Sequence, residues 1–159
     1  MELWELVARE EIRSCVARYN AAGDAGRMDD MMGAFAEDAI MEIDGEQTKG
    51  RDAIAAIFRD AGRGFVRYAK TAGTPRDVPV LKHFTSTLDI TVSSPTEAHA
   101  SMYYAVLMYH GLDHWGRYVD DYKPVGDRWY IAHRREFMEG ASVGGFGARH
   151  MAEMGRGGF

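Results

Sequence analysis

Two apolar periodicities, met in a fixed order, limit what this chain can fold into. Near the N-terminus, apolar residues recur three and four apart. Ile12, Cys15, Val16 and Tyr19, with Leu3, Leu6 and Val7 extending the set, predict an amphipathic helix over residues 3–22. Met28, Met31, Met32 and Phe35 repeat the spacing and predict a second helix, with Gly23 and Gly26 at the break between them. From residue 81 onward the pattern changes to strand-like runs: Leu81–Val92, Glu97–Tyr109, Trp115–Tyr122 and Arg128–Phe137. They are separated by turn-like breaks at Ser93-Ser94-Pro95, Gly111-Leu112-Asp113 and Pro124-Val125-Gly126-Asp127, short enough to require antiparallel pairing. Helices first and a meander second predict an α+β domain, with the helices packed on one face of a sheet.

Between these halves, Ala39 to Asp44 reads as a short strand ended by the Asp44-Gly45 turn signal, and Glu46 to Lys49 as its return. A third helix is predicted near 51–61, with Ile54, Ile57 and Phe58 on one face. Residues 62–80 read as irregular, because Gly62, Gly64, Gly73, Pro75 and Pro79 interrupt any regular element; such a segment is either a lid over a cavity or a mobile surface loop. The last twenty residues, 140–159, carry seven glycines together with Phe146, Met151, Met154 and Phe159. They predict a domain over 1–138 followed by a Gly-rich tail, 139–159, that is flexible or orders against a pocket mouth or a neighbouring subunit.

At 159 residues, with 46% hydrophobic and 27% charged residues, one domain can bury its own core. A formal net charge of -5 disfavours nucleic acid and anionic membrane surfaces as partners. No window approaches a membrane span, and the N-terminus lacks the basic and apolar regions of a signal peptide. The single cysteine, Cys15, lies on the apolar stripe of the first helix, which makes it a core residue and fits a reducing compartment. A cytoplasmic location is expected.

The chemistry-bearing residues fall in two stretches. Tyr19, Asn20 and Asp24 end the first helix; His83 opens the first long strand. A histidine held by a carboxylate is a usable base near neutral pH, so the fold is expected to join Asp24 and His83 inside a cavity for proton transfer. Parity adds a condition. Leu88, Ile90 and Val92 share one face of the strand and His83 has the opposite parity, so both sets face inward only if a bulge lies near Ser86-Thr87. His110 and His114 straddle a turn without a third suitably spaced ligand, so no metal site is expected. His110 is instead placed beside Tyr104 and Tyr118 at the pocket, while His99 and His133 read as surface or sheet residues. Gly144-Gly145-Phe146-Gly147 lacks the strand and helix that a phosphate loop requires.

Several of these pieces together resemble a known family. Ala17-Arg18-Tyr19 followed by Asp24, Phe35-Ala36-Glu37-Asp38-Ala39, Gly50-Arg51-Asp52-Ala53-Ile54, His83-Phe84, Gly116-Arg117-Tyr118 and Trp129-Tyr130-Ile131-Ala132-His133-Arg134 resemble the SnoaL-like branch of the cystatin-like α+β superfamily. The resemblance implies a cone-shaped curved sheet wrapped around the N-terminal helix, as in scytalone dehydratase and nuclear transport factor. It also implies elimination without a metal or organic cofactor. By the same resemblance His83 matches the catalytic histidine of scytalone dehydratase, bile-acid 7α-dehydratase and hexachlorocyclohexane dehydrochlorinase. Asp24 matches the carboxylate partner in the latter two, Tyr19 the helix tyrosine of the two dehydratases, and Arg134 the arginine of the dehydrochlorinase site. Arg134 can equally pair with Glu136 or Asp120 on the sheet. Asn20 stands where scytalone dehydratase has aspartate, which argues against scytalone itself as substrate. The expected function is a lyase of dehydratase type or an isomerase acting on a small hydrophobic cyclic or aromatic molecule, with Asn20, Tyr104, His110 and Tyr118 lining the pocket. The alternative is a non-catalytic binding or assembly module, similar to the β subunits of aromatic-ring dioxygenases. Exposed apolar positions on the outer sheet face would favour a homodimer or homotrimer.

Overall fold

The computed structural model describes residues 1–71 and 80–153. Helix α1 (Leu3–Asp24) buries Ala8, Ile12, Cys15, Val16, Tyr19 and Ala22, the stripe its spacing predicts. Leu3, Leu6 and Val7, expected to extend that stripe, are exposed. At about 100° per residue they project roughly 120–180° away from Ile12, so the same helix that buries Ile12 must turn them outward. The second helix is shorter than expected: α2 covers only Met28–Met32, and Phe35 already opens strand β1 (Phe35–Ile43). Asp44 and Gly45 both take positive φ (57° and 85°), the backbone of a tight hairpin turn, and return the chain into β2 (Glu46–Lys49).

Helix α3 runs from Arg51 to Thr71, not to 61. Gly62 and Gly64, expected to break it, are accommodated within it. Gly64 faces the Phe146 ring, which a Cβ there would meet at 3.5 Å, an ordinary contact distance, so packing does not demand glycine at this position. Interior glycine weakens a helix by about 1 kcal/mol relative to alanine, which tertiary packing readily overrides. The remainder of the expected 62–80 loop, residues 72–79, lies outside the described residues.

Four long strands follow: β3 (Lys82–Ser94), β4 (Glu97–Met108), β5 (Gly111–Val125) and β6 (Arg128–Ala141). The sheet order is β2-β1-β6-β5-β4-β3; β1 runs parallel to β6 and the other neighbours are antiparallel. Helix α1 packs on the inner face against β3 and β6. Curved sheet and helices form the α+β arrangement expected. The C-terminal segment is not all tail, since residues 139–141 complete β6 and Phe146–Glu153 form helix α4 against β5 and β6. Among the described residues no helix is long and apolar enough to cross a membrane.

Two bulges set which side chains enter the interior. In β3 the register passes from Ser86↔Tyr103 to Asp89↔Ser101, so Thr87 and Leu88 together oppose Met102. Before the bulge His83 and Thr85 point inward; after it Leu88, Ile90 and Val92 do. The parity conflict is resolved where it was expected. In β6 the register passes from His133 to Ile131 while β5 advances by one residue, and the inward set changes from Trp129 and Ile131 to Arg134, Glu136 and Met138.

Thr87 carries the strain of the first bulge, at φ 53°. A β-branched residue in that region costs about 1–3 kcal/mol, which glycine largely avoids. Thr87→Gly is therefore expected to raise unfolding stability by about 1 kcal/mol, read as a higher denaturant midpoint at unchanged slope. A lower midpoint would mean that Thr87 holds the bulge through its side chain.

Candidate active site

The inner face of the sheet, α1, α3 and α4 enclose a cavity of about 1470 Å³. Its wall is mainly apolar, with Met31, Met41, Ile57, Phe58, Phe65 and Met138 among the lining residues. Charged side chains, Arg59, Arg63 and Arg67 of α3 and Asp44 and Glu46 at the β1–β2 hairpin, also line it, and the polar groups that concern chemistry come from α1 and the sheet.

The first is where α1 ends. Asp24 is the last residue of the helix, and its carboxylate reaches the opening residues of β3. Oδ1 lies 2.7 Å from His83 Nδ1. The same carboxylate also accepts the His83 backbone N–H, at 3.1 Å to Oδ1 and 3.2 Å to Oδ2. Ring and backbone of one residue are thus fixed by one anion, and the charge favours hydrogen on Nδ1. Nε2 has no hydrogen-bond partner among the described residues, and His83 lines the cavity.

Tyr19 immediately precedes Asn20, somewhat more than one helical turn before Asp24, and lines the same space. Burial pushes its phenol up to about 12 against an opposing pull from Arg134, so it remains a proton-bearing donor throughout the neutral range. Asn20 also lines the cavity, and its buried Oδ1 has no partner among the described residues.

Arg134 sits elsewhere than expected. It is fully buried and absent from the cavity lining. Its guanidinium is clamped between the rings of Tyr19 (4.3 Å) and Tyr118 (4.2 Å). Nε and Nη2 bond the two oxygens of buried Asp120 at 2.9 and 2.6 Å, and Tyr122 donates to the same carboxylate at 2.8 Å. Burial alone disfavours the cation, but Asp120 outweighs it and keeps Arg134 charged. Asp120, not Glu136, is the partner, and the pair lies in the interior, not on the sheet surface. Arg134 therefore supports the two tyrosines from behind.

Tyr118 lines the cavity as expected, whereas Tyr104 and His110 do not. Tyr104 stacks behind Tyr118 with centroids 4.5 Å apart and donates to Glu136 at 3.2 Å. His110 lies beyond the end of β4 and turns its Nε2 to Asp113, 3.1 Å away. Glu136 and His114 take the places at the wall. Both were legible only in part: His114 shares its parity with Tyr118 along β5, and Glu136 becomes inward only through the β6 bulge. The tail supplies Phe146, His150 and Met151 from α4, which Gly-rich composition concealed. Cys15 is core, its thiol raised by burial to about 11. Among the described residues no group of three or more acidic, histidine or cysteine side chains is placed to hold a metal ion.

A profile of the SnoaL-like domain matches residues 4–135. The chain belongs to the SnoaL-like domain family. Among solved structures, this SnoaL-like chain is similar to a protein named for scytalone dehydratase from Novosphingobium aromaticivorans, at 20% identity over 89% of this chain and 91% of that one, with a TM-score of 0.72. It is also similar to a hexachlorocyclohexane dehydrochlorinase from Novosphingobium barchaimii, at 12% identity over 91% and 96% of the two chains and a TM-score of 0.71. A protein of unknown function from Mycobacterium tuberculosis matches at 23% identity, 85% and 73% coverage and a TM-score of 0.69. At these identities the likeness is one of fold, which other neighbours name cystatin-like. No curated protein matches the sequence significantly.

Proposed function

We propose that this SnoaL-like protein is a lyase or isomerase that removes a proton from carbon in a small hydrophobic, cyclic or aromatic substrate. The observation that carries this is the 2.7 Å contact between Asp24 Oδ1 and His83 Nδ1, at the wall of a large and mainly apolar cavity. Neutral His83 accepts the proton at Nε2 while Asp24 fixes the tautomer and stabilises the imidazolium that forms. The electrons of the broken C–H bond enter a new double bond, and either a leaving group departs or the double bond is relocated. Tyr19, protonated at all working pH values, donates to a substrate oxygen on which charge develops. The names of the similar dehydratase and dehydrochlorinase structures fit this class of reaction. A histidine whose ring and backbone are both fixed by one carboxylate supports the catalytic reading over a non-catalytic module.

The test is turnover on a panel of cyclic β-hydroxy ketones. Asp24→Asn and His83→Ala are each expected to lower kcat by about 10²–10⁴ with the fold intact. The double variant should be little worse than either, because the pair acts as one unit. Tyr19→Phe should lose less, about tenfold, the value of one hydrogen bond. Multiplicative losses, or binding of panel members without any turnover in the wild type, would overturn the assignment.

We also propose that the outer sheet face joins copies of this chain into a homodimer or homotrimer. Phe84, Tyr103, Trp115 and Phe137 are exposed there, and the register makes Tyr103, Arg117 and Phe137 lateral neighbours across β4, β5 and β6. Arg117 lies over the Phe137 ring at 4.6 Å. Sedimentation velocity should give two or three times the monomer mass, reduced to the monomer by Trp115→Glu. A strict monomer at micromolar concentration would contradict this.

A further inference from the structure

A second histidine has the same construction as the first. His114 Nδ1 lies 2.7 Å from Oδ2 of Asp113, a fully buried carboxylate. Its Nε2 has no hydrogen-bond partner among the described residues, and its ring lines the cavity that His83 lines. The registers place the two side by side. His83 pairs with Val106 on β4, and Val106 pairs with His114 on β5, so the three form one row across the sheet. With strands about 4.8 Å apart, the Cα atoms of the two histidines are about 10 Å apart. Val106, fully buried, lies between them in the sheet. That spacing brings both imidazoles to one wall of the cavity.

Asp113 is built for this role. It accepts His114 on Oδ2, His110 on Oδ1, and the backbone N–H groups of Phe146 (2.7 Å) and Gly147 (2.8 Å) at the start of α4. Burial raises the carboxyl, but these hydrogen bonds outweigh it and keep Asp113 ionised. The other groups facing His114 are Tyr104 on β4, whose ring meets the imidazole edge-on, and α4, whose Gly147 packs so closely that a Cβ would come 2.6 Å from His114 Cβ. Glu136 and His150 are further titratable groups that line the same cavity.

We propose that His114 is the general acid of the reaction, paired across Val106 with His83 as the base. This rests on the elimination assigned above. His83 Nε2 takes the proton from carbon, the C–H electrons form the C=C bond, and the C–O bond breaks. The departing oxygen takes the Nε2 proton of the His114 imidazolium, whose charge Asp113 balances, and leaves as water. His83 ends protonated and His114 neutral; exchange with solvent restores both. An elimination that expels hydroxide needs such a donor, since hydroxide is a poor leaving group, whereas a carboxylate or aryloxide leaves without one.

The experiment compares matched cyclic substrates that differ only in the leaving group, hydroxyl against acetate or nitrophenolate. His114→Asn keeps a donor toward Asp113 and removes the proton-delivering nitrogen; His114→Gln is the second variant should the first not fold. The expected result is a loss of 10²-fold or more in kcat for the hydroxyl substrate and less than about fivefold for the activated ones. His83→Ala should lose activity on both. Equal losses on both substrate types, or none on either, from the His114 variants would overturn the role of His114 while leaving the base intact. Retention of activity by His83→Ala would instead overturn the elimination assignment itself.

Discussion

A buried ion pair joins the two central strands of the sheet on the face that meets α1. Arg134 on β6 and Asp120 on β5 are both fully inaccessible, and their bidentate contact at 2.6 and 2.9 Å is completed by the Tyr122 hydroxyl. Removing one partner of such a pair generally costs about 3–5 kcal/mol, because the other charge is left buried and unmatched. What the pair supports is the cavity wall. The guanidinium lies against Tyr19 of α1 and Tyr118 of β5, contacts that add attraction to the ring faces when water is excluded. Helix and sheet therefore meet around a charge that cannot shift without exposing it, and Tyr19 presents its hydroxyl from a fixed base.

Asp24 makes the corresponding contact at the C-terminal residue of α1, just past Tyr19. Its carboxylate accepts from both the ring and the main chain of His83, so the orientation of the imidazole follows from where the helix stops. The bulge at Thr87 completes the arrangement, since a regular strand with Leu88 and Ile90 in the core would turn His83 to solvent. Asp113 repeats the device on β5, but ties its histidine to the start of α4 instead of the end of α1. A local interruption of regular structure therefore accompanies each of the two carboxylate-held histidines.

Much of this was legible in the residues. Spacing along α1 located the buried stripe from Ile12 to Tyr19, and strand parity required the bulge that lies at Thr87. The Asp44-Gly45 turn and the four long strands followed from local turn chemistry. The site was legible as far as Asp24 and His83, because a carboxylate at a helix end and a histidine in a strand are distinctive partners once the fold is recognised. Arg134 was placed on the right element and its pairing with Asp120 was one of two open alternatives, but nothing local reveals that an arginine will be buried whole. The extent of α3 past Gly62 and Gly64 depends on tertiary packing, including the approach of Phe146 to Gly64. Glu136 and the α4 residues depend on the β6 bulge and on how the C-terminal segment folds back, both nonlocal events.

The proton on His83 is the most direct measure of the account. Nitrogen-15 NMR of histidine-labelled protein at a pH where the ring is neutral distinguishes the two tautomers by the shifts of Nδ1 and Nε2. Asp24 at 2.7 Å from Nδ1 requires the Nδ1–H form, with Nε2 unprotonated and sensitive to a ligand in the cavity. That distribution should collapse toward a mixture in Asp24→Asn. An Nε2–H tautomer in the wild type would contradict the account, because the nitrogen facing the cavity would then have no lone pair with which to take a proton from carbon.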